Sequence, residues 1–192
     1  MEIIVVAKGC IELTCRSLPV VLITGVSEDS IAGELAVQIS SAKPALLILT
    51  ARTESRIAPI VEKIRASNSD VKTRFLQMDL SSFSSVRTAA ESLQDIPKID
   101  HFAAVAGLMM PPYKKTEDNL ESQFQVNYLS NFLLVKLLWP KILAAAPFSS
   151  VVILSSSAVR SGGVNFDDTG FSVCSRSFGT SSKQVGMQML MN

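Results

Sequence analysis

Four stretches of the chain carry no polar face: residues 20–23 (Val-Val-Leu-Ile), 45–49 (Ala-Leu-Leu-Ile-Leu), 102–106 (Phe-Ala-Ala-Val-Ala) and 151–154 (Val-Val-Ile-Leu). Runs this short, bounded by Gly, Pro or Ser, predict strands buried on both sides. A fifth strand is predicted over 71–78, where apolar and polar positions alternate into Asp79-Leu80, and the third run extends back to Ile99. Between the strands the spacing changes. Ala/Leu/Val-rich sequence after Ser30 predicts one helix, and Ile57, Ile60, Val61 and Ile64 predict a second. Ser81 or Ser82 can cap a third that runs through Leu93. A long fourth helix is expected over 120–145, its apolar stripe at Leu120, Phe124, Asn127/Tyr128, Leu134 and Leu138, bent or broken near Pro140. The remainder reads as an extra strand or loose leader over residues 1–18, a polar loop over 162–178 and a short Met-rich helix over 183–191.

Fully apolar strands alternating with helices imply an α/β fold, a doubly wound parallel sheet covered on both faces and joined by right-handed crossovers. Ligands of such sheets bind beyond the carboxyl ends of the strands. The residues to inspect are therefore Gly25, Arg52, Asp79, Gly107 and Ser155 to Ser157. Strand, Thr24-Gly25 turn and helix form a unit suited to anions, because a helix N-terminus offers unpaired N–H groups and the positive end of a dipole. Ser27, Ser30, Ile31 and Ala32 lie in this turn, with Ser30 and Ala32 small enough for a pyrophosphate to approach. Glu28 and Asp29 put two carboxylates in the same place, and Asp29 or Ser30 can instead cap the helix by bonding the same N–H groups.

Composition narrows the class of ligand. The chain has 192 residues, enough for one domain with a substantial core, and 18 basic against 17 acidic residues give a formal charge of +1. That balance argues against a nucleic-acid surface. Cys10, Cys15 and Cys174 are odd in number and lack metal-ligand spacing, which disfavours a disulfide framework or a metal site and fits a reducing, cytoplasmic setting. Glu2, Lys8, Glu12 and Arg16 interrupt the apolar start, so a transmembrane span is not expected there.

From Val20 to Lys183 the chain resembles the short-chain dehydrogenase/reductase family. The turn at Thr24-Gly25 is similar to that family's Thr-Gly-x-x-x-Gly-x-Gly, one residue longer, with Ser30 and Ala32 at the second and third glycines. Asp79-Leu80 resembles the pair that meets the adenine, and Ala106-Gly107 is retained from Asn-Asn-Ala-Gly, with Ala104 and Val105 at the asparagines that normally brace the sheet. Residues 117–134, Glu-Asp-Asn-Leu-Glu-Ser-Gln-Phe-Gln-Val-Asn-Tyr-Leu-Ser-Asn-Phe-Leu-Leu, look like the retinol-dehydrogenase-like branch. The resemblance implies a Rossmann-type, three-layer NAD(P)-binding domain over residues 19–192. It also implies oxidation or reduction of a small alcohol/carbonyl pair, and leaves a homo-oligomer open. Arg52 stands where NADP-preferring members carry a cation, so NADP (NADPH) is expected over NAD. Asn127 matches the asparagine that holds a water of the proton relay, and Ser156 matches the substrate-orienting serine. Lys183 matches the lysine of Tyr-x-x-x-Lys, which binds the nicotinamide ribose.

One departure is chemical. Ser177-Phe178-Gly179-Thr180-Ser181-Ser182-Lys183 places phenylalanine at the tyrosine position and adds one residue before the lysine, a rotation of roughly 100° on a helix. Phe178 has no proton to exchange. Family members also continue beyond the equivalent of Asn192, so the sheet is expected to be incomplete at its C-terminal edge. Two readings follow: an NADP-dependent oxidoreductase, or a nucleotide- or partner-binding Rossmann domain without turnover. His101, early in its strand, is expected to be structural.

Overall fold

A computed structural model describes residues 18–109 and 111–155. The expectations for residues 1–17, for Ser156, Phe178 and Lys183, for the loop over 162–178 and for the helix over 183–191 lie outside them. Five strands are present: β1 (Val20–Ile23), β2 (Leu46–Ala51), β3 (Thr73–Gln77), β4 (His101–Ala104) and β5 (Ser150–Ile153). All pair in parallel, in the order β3-β2-β1-β4-β5. The helices are α1 (Ile31–Ser40), α2 (Ala58–Ser67), α3 (Phe83–Glu91) and α4 (Ser130–Leu143). A short 3₁₀ turn (Glu54–Arg56) precedes α2, and a π-helical segment (Phe124–Leu129) leads into α4.

The strands show why no polar face was visible in them. Val21 and Ile23 of β1 with Leu47 and Leu49 of β2 pack against Ala32, Ala36, Ile57, Ile60 and Ile64 on one side. The alternate residues Leu22 and Ile48 pack against Val86, Ala89, Leu134, Leu138 and Ile142 on the other. Period-two alternation thus feeds two cores at once. The chain lays β1, β2 and β3 outward in one direction and then returns to place β4 on the far side of β1. Between the carboxyl ends of β1 and β4 lies the switch point where such sheets take their ligands.

The fourth helix departs from expectation. It does not run unbroken from Leu120; the Ser130 N–H closes on Gln125 O, a five-residue step. A π turn takes one residue more than an α turn, so Phe124 and Tyr128, which an unbroken helix would align with Leu134 and Leu138, rotate outward. Their rings stack instead, Phe124 on Tyr128 at 5.8 Å and Tyr128 on Phe132 at 6.4 Å. The core-facing side becomes Val126, Asn127, Ser130, Asn131, Leu134, Leu138 and Ile142. Nor does the helix end at Pro140, which lies inside α4. Proline lacks the N–H that would bond the carbonyl four residues back, but only the final residues to Leu143 follow it. Strand β3 is shorter than the expected 71–78, and β4 ends before its apolar run does, since Val105 and Ala106 leave the sheet to bond Thr24.

At the opposite end of the sheet His101 opens β4, its Nδ1 2.9 Å from Ser150 Oγ of β5. Asp100 beside it accepts from the Val20 N–H at 2.8 Å and pairs with Lys98 at 2.8 Å. Burial lowers the His101 pKa below its ordinary 6.5, against an opposing pull from Asp100. This is a structural position, as expected. Because the folded imidazole resists protonation, the unfolded chain takes up more protons as pH falls below 6.5. Stability contributed by neutral His101 is present above that pH and is lost below it. Urea denaturation at pH 7.5 and 5.5 should therefore show a smaller loss for His101→Gln than for the parent chain, and an identical loss would contradict this role.

Candidate functional site

Thr24 follows β1 with no exposed surface. Its N–H donates to Ala103 O at 2.9 Å, and its Oγ1 accepts from the N–H groups of Val105 and Ala106 at 3.0 and 3.1 Å. This hydroxyl ties the end of β1 to the end of β4, with alanine and valine standing where asparagines were expected. On the other side the Gly25 N–H donates to Thr50 Oγ1 at 3.3 Å and the Val26 N–H to Thr50 O at 2.9 Å.

These bonds draw Gly25 onto Ala106. Gly25 has φ +76°, and a Cβ there would lie 2.7 Å from both Ala106 Cα and Cβ. Only glycine tolerates both the conformation and the approach. The turn then packs down on the helix it feeds: a Cβ on Gly33 would meet Ser27 O at 2.4 Å. Gly33, together with Thr24, is a site residue that strand and helix periodicity did not single out. A glycine in the first turn of an otherwise apolar helix was its sequence signal.

Ser30 resolves the two readings of the turn, for it is the N-cap of α1. Its Oγ accepts from Ser27 N–H at 3.1 Å and Gly33 N–H at 2.9 Å, and donates to Ser27 O at 2.7 Å. The hydroxyl is fully committed. Among the described residues the N–H groups of Ile31 and Ala32 take no acceptor, and these are the donors a helix N-terminus offers an anion. Glu28 does not crowd them: it turns to Lys63 of α2 at 3.6 Å, and Asp29 is exposed at φ +56°.

The remaining expected residues flank this point. Arg52 directly follows β2, is exposed and enters no ion pair among the described residues; its carbonyl accepts from Gln77 Nε2 at 3.3 Å. Asp79 after β3 is held by its own turn, Oδ1 accepting from Ser81 N–H at 2.9 Å and Ser81 Oγ at 2.7 Å, while its N–H donates to Ser85 Oγ at 2.9 Å. Leu80 is buried in the α3/α4 core and its carbonyl accepts from Ser130 Oγ at 2.6 Å, so backbone is what it can offer a ligand. On the β4 side Gly107 is exposed beyond Ala106. Asn127, 2% exposed on the π turn, binds one backbone residue with both ends of its amide: Leu108 N–H donates to Oδ1 at 2.7 Å and Nδ2 donates to Leu108 O at 3.0 Å. Gly25, Ser27, Ser30, Ile31, Ala106 and Gly107 are thus gathered at the switch point. Arg52 and Asp79 stand on the β2/β3 side and Asn127 on the other. Ser155 follows β5, and Ser156, Phe178 and Lys183 lie outside the described residues.

A parallel sheet with a glycine turn, a capped helix N-terminus and a strand-end arginine around one switch point defines a dinucleotide-type α/β domain. Residues 19–167 match the short chain dehydrogenase family, and the chain belongs to it. It is 44% identical over 93 residues to human retinol dehydrogenase 14, a match covering 48% of this chain and 27% of that protein. With mouse retinol dehydrogenase 12 it shares 35% identity over 150 residues, 78% of this chain and 46% of the relative. The chain therefore spans less than half the length of these relatives. Among solved structures, an uncharacterized protein from Mycobacterium paratuberculosis superposes with a TM-score of 0.68 at 27% identity, over 90% of this chain and 59% of that one. Among the described residues no helix is long and apolar enough to cross a membrane.

The Thr24 clasp carries a direct test. Thr24→Val keeps the shape but strips the acceptor from two amides, which should cost about 1–3 kcal/mol, whereas Thr24→Ser should cost much less. Urea midpoints at unchanged m-value read the difference. A valine variant as stable as the parent would contradict the clasp.

Proposed function

We propose that the domain binds NADP(H) at the β1/β4 switch point and belongs to an oxidoreductase acting on a small alcohol/carbonyl pair. The observation that carries the binding half is the cradle: Gly25 pressed against Ala106, with the Ile31 and Ala32 N–H groups left for a pyrophosphate. The residues present fit the group. Ser30 holds the turn, Asp79 and the Leu80 backbone face the adenine, and Arg52 meets a 2′-phosphate as a fixed, forked cation. When bound, NADPH supplies a hydride to a carbonyl carbon whose oxygen takes a proton. Ser156, Asn127 and Lys183 are the positions we assign to that end, through the family resemblance. A cytoplasmic setting belongs to the same proposal and rests on the cysteine pattern.

A second reading, a binding domain without turnover, is favoured by the tyrosines. The chain has two, Tyr113 and Tyr128. Tyr128 is stacked between Phe124 and Phe132 on the outer face of the helix, 44% exposed, and Tyr113 lies exposed in the loop after β4. With Phe178 at the family's tyrosine position, no phenol is assigned to exchange the proton.

Calorimetry tests both readings. NADPH should bind roughly tenfold or more tighter than NADH, the worth of one charged hydrogen bond, and Arg52→Asp should abolish or reverse the preference. Equal affinities in the parent would contradict the role of Arg52. NADPH oxidation with aldehydes, ketones and quinones then separates enzyme from binding domain. Turnover gained only on Phe178→Tyr with Ser182 deleted supports the second reading. Robust turnover by the parent, lost in Ser156→Ala, refutes it.

A further inference from the structure

Asn131 lies in the first turn of α4, on the stripe that Leu134 and Leu138 continue into the core, and is 4% exposed. Its Nδ2 donates to Val126 O at 3.0 Å and to Asn127 O at 3.1 Å. Two carbonyls on one side settle which end of the amide is nitrogen, since the reverse would set oxygen against oxygen. Both carbonyls belong to the π segment, just where its five-residue step from Ser130 to Gln125 gives way to α winding. The other end of the amide, Oδ1, is buried and receives no donor among the described residues. An apolar side chain would continue the stripe without stranding that oxygen, so what asparagine supplies here is its pair of bonds to the π-segment carbonyls.

We propose that Asn131 is a positioning residue for the switch-point site. Its amide holds the π turn at the junction, the π turn keeps Asn127 facing the end of β4, and Asn127 clamps the backbone of Leu108, two residues beyond Ala106. The functional meaning rests on the nucleotide-binding reading above, while the coupling from Asn131 to Leu108 is tested on its own.

That coupling is read by hydrogen exchange at the Leu108 amide, whose proton Asn127 Oδ1 accepts. In the full chain without ligand, Asn131→Leu should speed this exchange by about tenfold or more, leaving the β1 and β2 amides unchanged. Asn131→Thr, whose hydroxyl can return one bond to the preceding turn, should fall between the two. In an Asn127→Ala background Asn131→Leu should add nothing. Unchanged Leu108 exchange in Asn131→Leu, or an equal acceleration in the Asn127→Ala background, overturns the proposal. Should the leucine variant fail to fold, unchanged exchange in Asn131→Thr overturns it equally. NADPH calorimetry separates the two levels. Coupling with several-fold weaker NADPH binding by Asn131→Leu supports the proposal in full, and equal binding by parent and variant overturns its functional half. Coupling in a parent chain that binds no NADPH supports the positioning role and refutes the nucleotide reading instead.

Discussion

The approach of Gly25 to Ala106 sets the geometry of this domain. At 2.7 Å from an imagined Cβ, the two backbones leave no room for any side chain, and the positive φ of Gly25 excludes one independently. Everything at the switch point follows from keeping these strand ends together. Thr24 spends its hydroxyl on two amides of the β4 exit, Thr50 takes the amide of Gly25, and Ser27 lies against Gly33 so that α1 begins directly behind the turn. The helix N-terminus therefore lies beside the end of β1, where Ser30 consumes one of its donors while, among the described residues, Ile31 and Ala32 take no acceptor.

The same economy governs the opposite wall. A buried polar row, Asn127, Ser130 and Asn131, interrupts the apolar helix face, and its members bind backbone: Asn127 at Leu108, Ser130 at Leu80, Asn131 at the π carbonyls. Such groups are costly to bury unless bonded, and when bonded they specify one arrangement. Two loops that flank the switch point, those after β3 and β4, are thus fixed from a single helix.

The sheet was legible because burial on both faces leaves an apolar run, and each of the five strands coincides with a run that announced it to within two residues at either end. Fold class depends on little else, whereas the strand order comes from the structure. The π segment was not legible: Leu120, Phe124 and Tyr128 fit a regular stripe, and nothing local in Phe124–Leu129 announces a wider turn, whose existence depends on side chains reaching distant backbone. At the site, Gly25 was readable from its strand-turn-helix setting. Ser30 was ambiguous, because a cap and a phosphate contact use the same N–H groups. Glu28 read as an obstacle only because sequence cannot show Lys63 one helix away. Thr24 and Asn131 act through contacts no periodicity encodes.

The central claim is that a nicotinamide dinucleotide lies in the crevice between β1 and β4. An ¹⁵N NMR titration of the full chain with NADPH tests it residue by residue. The account predicts the largest amide shifts at Gly25, Ile31, Ala32 and Ala106, with smaller ones at Arg52 and Leu80. Shifts gathered elsewhere, such as the groove of Arg65, Ser69 and Lys72 at the far end of β2 and β3, or no shifts at saturating NADPH, would contradict it.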